Sequence, residues 1–298
     1  MRAKRMNFVS SWVTCAWLGG SIATATAAET QMLDCGGFAC LSLELGAGKS
    51  LKVLFDSGNA RSILDIGEAK ALGLTLEPYT RDGKVVPGRF STEISNATVG
   101  DTKLPPLKFV VIDLQKFVDQ GQMPPAQGTL AYTAIKDRML TLDYRRHRIS
   151  ISAPDAAPGK TGKFGVLTYP TFGQDGPAIV ATTGFQVNGQ PITVQVDTLY
   201  SGTLLIYPTS VDKLGLKAQA GSTKTHRFPI TDGGVDMIEG TAGKESFQGR
   251  DLLSNAPLYF ATPQVHLPDG LFDGTVGVGL FEGHSVTFDF RANQFWIS

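Results

Sequence analysis

The sequence has few of the residues that bind transition metals. Its 298 residues include only four histidines and three cysteines. A zinc site usually needs three or four ligands close together, whereas the histidines are scattered along the chain: His147, His226, His266 and His284. Gly48-Lys49-Ser50 resembles part of a phosphate-binding loop, but Leu43 stands where that motif needs glycine. We therefore expect no metal and no cofactor.

The sequence also lacks an excess of charge of either sign. It contains 27 Lys and Arg residues and 27 Asp and Glu residues, for a formal net charge of zero. Proteins that bind nucleic acid or an anionic membrane surface usually carry a basic patch. No apolar run after residue 28 approaches the roughly 20 residues of a membrane-spanning helix. We expect no nucleic acid partner and no membrane span in the mature chain.

The first 28 residues have the pattern of a secretory signal peptide. A basic stretch, MRAKR, precedes an uncharged segment from Met6 to Ala23, and Ala25-Thr26-Ala27 matches a small-x-small cleavage pattern. An N-terminal membrane anchor is the alternative, but the segment is short and rich in Ser, Thr and Gly. We expect export to the periplasm or the extracellular space. Removal of the peptide leaves 24 basic and 27 acidic residues, a net charge of −3.

Two cysteines remain in the mature chain, Cys35 and Cys40, on either side of a Gly-Gly pair. In an oxidising compartment, a close cysteine pair favours a disulfide. A zinc site would need two more cysteine or histidine ligands nearby, and the neighbouring sequence has none. We predict a Cys35–Cys40 disulfide that braces the first strand locally.

The composition favours a turn-rich β protein. The chain has 34 glycines, and its short apolar runs alternate with Gly-, Pro- and Asp-rich turns. The Asp-Gly pairs are predicted to be hairpin turns rather than further functional acids: Asp82-Gly83, Asp232-Gly233, Asp269-Gly270 and Asp273-Gly274. We expect a mainly β fold.

The chain contains an internal repeat. LKVLFDSGNARSILDIGEAKALGL begins at Leu51, and ITVQVDTLYSGTLLIYPTSVDKLGL begins at Ile192. Each has an apolar strand, an Asp followed by Ser or Thr, a short helical segment and Leu-Gly-Leu, with the Gly just past the predicted helix end. Asp56 and Asp197 occupy the same place in the two copies.

A second pair of segments repeats without a gap. GTLAYTAIKDRMLTLDYRRHRISI begins at Gly128, and GTVGVGLFEGHSVTFDFRANQFWI begins at Gly274. Each ends in the alternating pattern of a strand. Both halves therefore contain the same landmarks in the same order, which indicates a duplication. The Pro-, Gly- and Lys-rich stretch 153–165 is predicted to join the halves.

On these residues the sequence resembles the aspartic protease superfamily, in the bilobal pepsin-like arrangement with retropepsin-like lobes, and most of all an exported bacterial-type aspartyl protease. The resemblance covers essentially the whole mature chain. It implies two similar β-barrel-like lobes, residues 29–155 and 156–298, related by a pseudo-twofold axis. Because one chain supplies both Asp loops, we expect a monomer.

The resemblance also implies roles for individual residues. Asp56 and Asp197 would be the catalytic pair, each at the end of an apolar strand. In the family, the hydroxyls at the positions of Ser57 and Thr198 brace the opposite loop, although each could instead form a local turn hydrogen bond. An apolar-apolar-Gly segment packs beneath each family loop. Here Val276-Gly277 fits that pattern, whereas Leu130-Ala131 has alanine in place of glycine.

The third position of the loops is where the sequence departs from the family pattern. Gly58 matches, but Leu199 replaces the second glycine. Leucine is bulky and disfavours positive φ, so the loop adjusts, the cleft narrows, or the second site is degenerate. On this reasoning Leu199→Gly should keep or raise activity.

The implied chemistry needs two carboxyl groups and no cofactor. Two close carboxylates cannot both ionise freely, so they share a proton, and one serves as base while the other serves as acid. The expected function is an aspartic endopeptidase acting on peptide or protein substrates. The alternatives are a catalytically degenerate pseudo-protease that binds peptides in the same cleft, and a β-rich envelope protein with decayed sites.

Overall fold

The computed structural model describes residues 28–152, 162–171, 178–216, 225–228, 235–261 and 271–298. The predicted signal peptide lies outside these residues except for Ala28, and so does most of the predicted linker. Among the described residues, no helix combines the length and the apolar character that a membrane crossing requires.

Residues 28–152, the described part of the first half, form twelve strands and three short helices. The strands are β1 (Ala28–Gln31), β2 (Cys40–Gly46), β3 (Lys49–Asp56), β4 (Ser62–Asp65), β5 (Glu77–Arg81), β6 (Lys84–Ile94), β7 (Thr98–Val99), β8 (Thr102–Lys103), β9 (Leu107–Ile112), β10 (Gly128–Ala131), β11 (Met139–Asp143) and β12 (Arg148–Ile151). The helices are α1 (Ile66–Ala71), α2 (Gln115–Asp119) and a 3₁₀ turn (Tyr132–Ile135).

The described residues of the second half form ten strands and two short helices. The strands are β13 (Gly165–Thr168), β14 (Ala181–Val187), β15 (Gln190–Val196), β16 (Leu204–Ile206), β17 (Thr225–Phe228), β18 (Val235–Phe247), β19 (Arg250–Ala261), β20 (Gly274–Val276), β21 (Ser285–Asp289) and β22 (Gln294–Ile297). The helices are α3 (Pro208–Lys213) and α4 (Val278–Phe281). The predicted mainly β class is confirmed.

The two halves repeat one order of strands. In the first, β2 pairs antiparallel with β3, β3 parallel with β10, β10 antiparallel with β4, and β4 parallel with β9. In the second, β14, β15, β20, β16 and β19 pair in the same order and with the same directions. The sequence repeat therefore corresponds to a repeated topology. The barrel-like shape of the lobes and the pseudo-twofold axis stay predictions.

A shared sheet connects the two halves. The order β1-β12-β11-β21-β22-β13 forms one end of a thirteen-stranded sheet. Its central pair, β11 and β21, holds the two matched segments side by side, with Thr141 opposite Thr287. The hydroxyl oxygens of these threonines lie 3.0 Å apart. Of the two matched segments, β11 and β21 therefore pair across the halves, whereas the final strands β12 and β22 pair with β11 and β21 respectively.

The main hydrophobic core draws on both halves of the chain. Buried side chains from β3, β10, β15 and β20 belong to one cluster with those of the shared sheet. Phe55, just before Asp56, packs edge-on against Phe288 of β21, with ring centroids 6.1 Å apart. Because Asp56 directly follows this anchored residue, its loop emerges from the core rather than from a flexible surface segment.

The predicted turns and helix ends are partly confirmed. Gly73 and Gly215 follow α1 and α3 with φ of 72° and 62°, as the Leu-Gly-Leu pattern indicates. Asp82 and Gly83 both have positive φ and connect β5 to β6, the conformation that a two-residue hairpin turn requires. Asp232-Gly233 and Asp269-Gly270 lie outside the described residues.

The hairpin prediction for Asp273-Gly274 is wrong. Gly274 begins β20, and the Asp273 carboxylate accepts hydrogen bonds from the Ser210 hydroxyl at 2.8 Å and the Lys213 ammonium at 2.7 Å. Its other oxygen accepts from the Thr193 amide at 2.9 Å. The Asp273 side chain thus connects α3 to the sheet, and it lies in the interior and not in an exposed turn.

Candidate active site

Asp56 lies at the inner end of β3, between β2 and β10. The apolar run Val53-Leu54-Phe55 is fully buried, as expected for a strand covered on both faces. Asp56 stands opposite Ala131 in the register of β3 and β10 and is only 6% exposed. A carboxyl group so buried needs either a partner or a proton.

Asp197 occupies the corresponding place after β15. Its backbone amide donates to the carbonyl of Val276 at 3.0 Å, which fixes the loop to β20. The amide of Leu199 donates to Asp197 Oδ1 at 2.8 Å. The side chain is therefore oriented by its own loop.

The two loops are bound to each other by reciprocal hydrogen bonds. The Ser57 amide donates to Thr198 Oγ1 at 3.0 Å, and the Thr198 amide donates to Ser57 Oγ at 3.1 Å. Ser57 Oγ donates to the carbonyl of Val196 at 2.7 Å, and Thr198 Oγ1 donates to that of Phe55 at 2.6 Å. Both side chains are fully buried. These bonds cross between the halves, so the geometry matches the bracing arrangement and not the local turn hydrogen bond.

Gly58 brings the first loop directly against the second carboxylate. A Cβ atom added to Gly58 would lie 2.6 Å from Asp197 Cγ and 2.7 Å from both carboxylate oxygens. No side chain fits there without moving Asp197. Gly58 does not have a positive φ. The reason for glycine at this position is therefore the close approach of Asp197 and not the backbone conformation.

Burial and proximity shift the pKa values of both carboxyl groups upward. Burial raises the pKa of Asp56 well above its usual value, and the charge of Asp197 raises it further, against the opposing effect of the Gly58 and Asn59 amides. Burial also raises the pKa of Asp197, opposed by the amides of Leu199 and Tyr200. The two groups therefore titrate as a pair that shares a proton.

Leu199 does not have the conformation for which glycine would be needed. It is not among the residues with positive φ. Its side chain is half-buried and packs against a buried cluster in the other half of the chain, which consists of Cys35, Cys40 and Leu54. The backbone therefore gives no reason to expect that Leu199→Gly raises activity.

The segments beneath the two loops differ for a steric reason. A Cβ atom on Gly277 would lie 2.1 Å from the carbonyl oxygen of Tyr200, so this position excludes any side chain. Ala131 is fully buried, and its amide donates to Ser62 Oγ at 3.0 Å. The first half thus accommodates the alanine.

The predicted Cys35–Cys40 disulfide is confirmed. Cys40 is the first residue of β2 and lies opposite Leu54 of β3. The bridge therefore braces the strand beside the one that ends on Asp56.

A buried acid that the sequence did not single out lies in β18. Glu245 is 2% exposed, and neither of its carboxylate oxygens has a hydrogen-bond partner among the described residues. Burial raises its pKa to about 7. Its strand reads as ordinary amphipathic sequence, so nothing local distinguishes it from a solvated glutamate. Within the described ranges, no group of three or more His, Cys, Asp or Glu side chains could hold a metal ion.

Comparison with known proteins adds little to this geometry. No protein-family model and no curated protein matches the chain. Solved structures that match include a retropepsin-like aspartic protease from Rickettsia conorii, with 16% identity and a TM-score of 0.29. The match covers 46% of this chain and 98% of that one. A similarity at this TM-score carries no argument, so the function proposed below rests on the site itself.

Proposed function

We propose that this chain is an exported aspartic endopeptidase whose catalytic pair is Asp56 and Asp197. The observation that carries the proposal is the reciprocal bonding of Ser57 and Thr198, which fastens the loops of Asp56 and Asp197 to each other. Asp56 is buried and Asp197 is half-buried. Because a carboxylate removed from water without a partner is costly, stability alone gives no reason to place these two acids together.

Peptide hydrolysis by such a pair needs one charged and one neutral carboxyl group. The charged group takes a proton from a water molecule, which attacks the peptide carbonyl carbon. The neutral group donates its proton to the carbonyl oxygen, which yields a tetrahedral intermediate. The group that took the proton from water then donates it to the amide nitrogen, and the carbon–nitrogen bond breaks. The other group takes a hydroxyl proton back, which leaves the new amine and a carboxylic acid. The pair transfers protons throughout and forms no covalent bond with the substrate.

The surroundings of the two carboxyl groups are alike. Burial raises the pKa of both, and two backbone amides oppose it at each, Gly58 and Asn59 at Asp56 and Leu199 and Tyr200 at Asp197. Either carboxyl group can therefore hold the shared proton and act as acid while the other acts as base. Neither role requires a metal or a cofactor.

The remaining parts of the proposal concern organisation and location. The substrate, a peptide or protein segment, would bind in a cleft between two lobes, residues 29–155 and 156–298. One chain contains both loops, so the active species would be a monomer. The disulfide is compatible with export.

A catalytically degenerate peptide-binding protein is the second candidate. The observation that favours it is the side chain of Leu199, which stands beside Asp197 where the first loop has glycine. Such a protein would bind peptides at the same place without cleaving them.

The test is cleavage of an unfolded protein substrate by the mature chain, followed by mass spectrometry. We expect cleavage by the wild type and none by Asp56→Asn, which keeps the shape of the side chain and removes its proton chemistry. Asp101→Asn, at an exposed acid, is the matched control and should cleave normally. Peptide binding without cleavage by the wild type would favour the degenerate protein, and equal cleavage by Asp56→Asn would exclude the dyad.

A further inference from the structure

A small apolar cluster, separate from the main core, lies next to both Asp loops. Its buried members are Cys35, Cys40 and Leu54, and Leu33, Phe38, Met123, Ala126 and Leu199 pack against them. We call this set the disulfide cluster. All of its members come from the first half of the chain except Leu199. That one leucine therefore connects the second half to a covalently closed loop of the first.

The disulfide cluster is directly linked to the first carboxylate. Cys40 lies opposite Leu54 in the pairing of β2 with β3. Leu54 is two residues before Asp56 on the same strand and is fully buried. A displacement of the disulfide loop would therefore be felt in the strand that carries the first acid.

The cluster is linked to the second carboxylate through one residue. Leu199 places its side chain in the cluster and donates its amide proton to Asp197 Oδ1 at 2.8 Å. The side chain of Leu199 thus packs on the first half of the chain, while its backbone amide holds the carboxylate of Asp197. A glycine could donate the same hydrogen bond, but it would have no side chain to hold the loop in place.

We infer that Leu199 is a positioning residue for Asp197 and that the Cys35–Cys40 loop is the support against which it is held. The effect on Asp197 stands by itself; the effect on catalysis rests on the function proposed above. Leu199 replaces the usual glycine, on this account, because its side chain performs a task, and it is not a sign of decay. The disulfide then supports both acids of the site.

The expected consequence of loosening Leu199 follows from the forces on Asp197. Burial disfavours the charged carboxylate, whereas the Leu199 amide favours it. If the hydrogen bond from the Leu199 amide weakens, less of the upward effect of burial on the pKa of Asp197 is cancelled. The pKa of Asp197 should then rise. Asp56 and Tyr207 are electrostatically coupled to Asp197. Tyr207 stays neutral over the acidic range, since its pKa is raised by burial.

The first experiment is an NMR titration of the aspartate carboxyl carbons in the intact mature protein. Leu199→Ala should raise the apparent pKa of the Asp56–Asp197 pair by about 0.5–1 unit, a fraction of what a charge-assisted hydrogen bond is worth. Leu199→Met, which retains length and apolar character, should titrate like the wild type. Leu74→Ala is the control, at a half-buried leucine that packs on the main core.

The second set of variants tests the support. Replacement of both cysteines by serine should shift the titration in the same direction as Leu199→Ala. The double change in the Leu199→Ala background should add little, because the two act through one contact. This arm decides the matter if Leu199→Ala does not fold. An unchanged titration in both sets would overturn the inference.

Kinetics then separate this inference from the proposed function. In an active wild type, Leu199→Ala should lower kcat roughly tenfold with little change in KM, since it misplaces a reacting group rather than a binding contact. It should also move the pH profile in the direction of the NMR shift. A wild type that cleaves nothing defeats the proposed function, while the titration still decides the role of Leu199. A normal kcat together with a normal titration in Leu199→Ala defeats the inference alone.

Discussion

The two Asp loops are alike in their hydrogen bonds and different in the residue that follows. Ser57 and Thr198 exchange the same two bonds, amide to hydroxyl in each direction, and each hydroxyl donates to a carbonyl of the opposite strand. Gly58 and Leu199 then diverge. Gly58 lies so close to Asp197 that no side chain fits, whereas Leu199 projects into the disulfide cluster.

The same loop pattern therefore leaves different space for a side chain at the third position of its two copies. At position 58 the requirement is space for the opposite carboxylate. At position 199 the space is available and is filled by a side chain that reaches the other half of the chain. The two loops therefore share their reciprocal hydrogen bonds and differ in what their third residue contacts.

The largest effect is expected from filling the space at Gly58. Gly58→Ala should abolish cleavage and destabilise the fold by about 3 kcal/mol, at the upper end of the usual cost of overpacking. The cause is specific, because the added methyl would meet the Asp197 carboxylate. Urea denaturation measures the cost.

To test whether the clash with Asp197 is the cause, Gly58→Ala is made in a variant that lacks the Asp197 carboxylate. In an Asp197→Ala background, Gly58→Ala should cost less than half as much, since the clashing group is gone. An unchanged cost in that background would show that the glycine is needed for another reason.

A second prediction contrasts the two sheets through Glu245. Its folded pKa of about 7 lies above the ordinary value of 4.5. Its contribution to stability is therefore fully present below about pH 4.5 and is lost as the pH rises through 7. That shift corresponds to about 3 kcal/mol. Glu245→Gln should remove this part of the pH dependence, as measured by denaturation at pH 5 and pH 8.

Glu93 offers the matched control in the first half. It lies on β6, which occupies in the first sheet the place of β18 in the second, and its side chain is exposed. Glu93→Gln should leave the pH dependence of stability as it is in the wild type. Equal behaviour of the two variants would remove the distinction between the sheets.

The third largest effect on stability is expected from removing the hydrogen bonds between Ser57 and Thr198. Ser57→Ala and Thr198→Val should each cost about 1–3 kcal/mol, because each leaves buried polar groups without partners. The double variant should cost less than the sum, since the two residues bond to each other. Thr92→Val is the control, at an exposed hydrogen bond from the Thr92 hydroxyl to the Thr75 carbonyl, and should cost about 1 kcal/mol or less. Strict additivity of the two loop variants would contradict the reciprocal arrangement.

Much of this architecture can be predicted from sequence, because the duplication repeats its local signals. The strand before each Asp, the short helix and the glycine after it all arise from neighbouring residues, and so does the hairpin turn at Asp82-Gly83. The disulfide is also a local feature, since Cys35 and Cys40 are five positions apart. These features need no knowledge of the distant chain.

What escapes sequence reasoning depends on contacts between distant residues. Leu199 suggests a lost glycine until its packing against the disulfide cluster is known. Asp273 has the neighbour expected of a turn, but Ser210 and Lys213 hold it in the interior. Glu245 has no local mark of burial. In each case the decisive partner is more than 50 positions away or is the tertiary environment as a whole.

The pH dependence of kcat/KM for the wild type and Asp197→Asn measures whether Asp56 and Asp197 share one proton. We expect a bell-shaped profile for the wild type, because one carboxyl must be charged and the other neutral. Asp197→Asn should have no measurable activity at any pH, with an unchanged fold by circular dichroism. Full activity of Asp197→Asn, or a wild-type rate that rises through a single ionisation to a plateau, would contradict the shared proton.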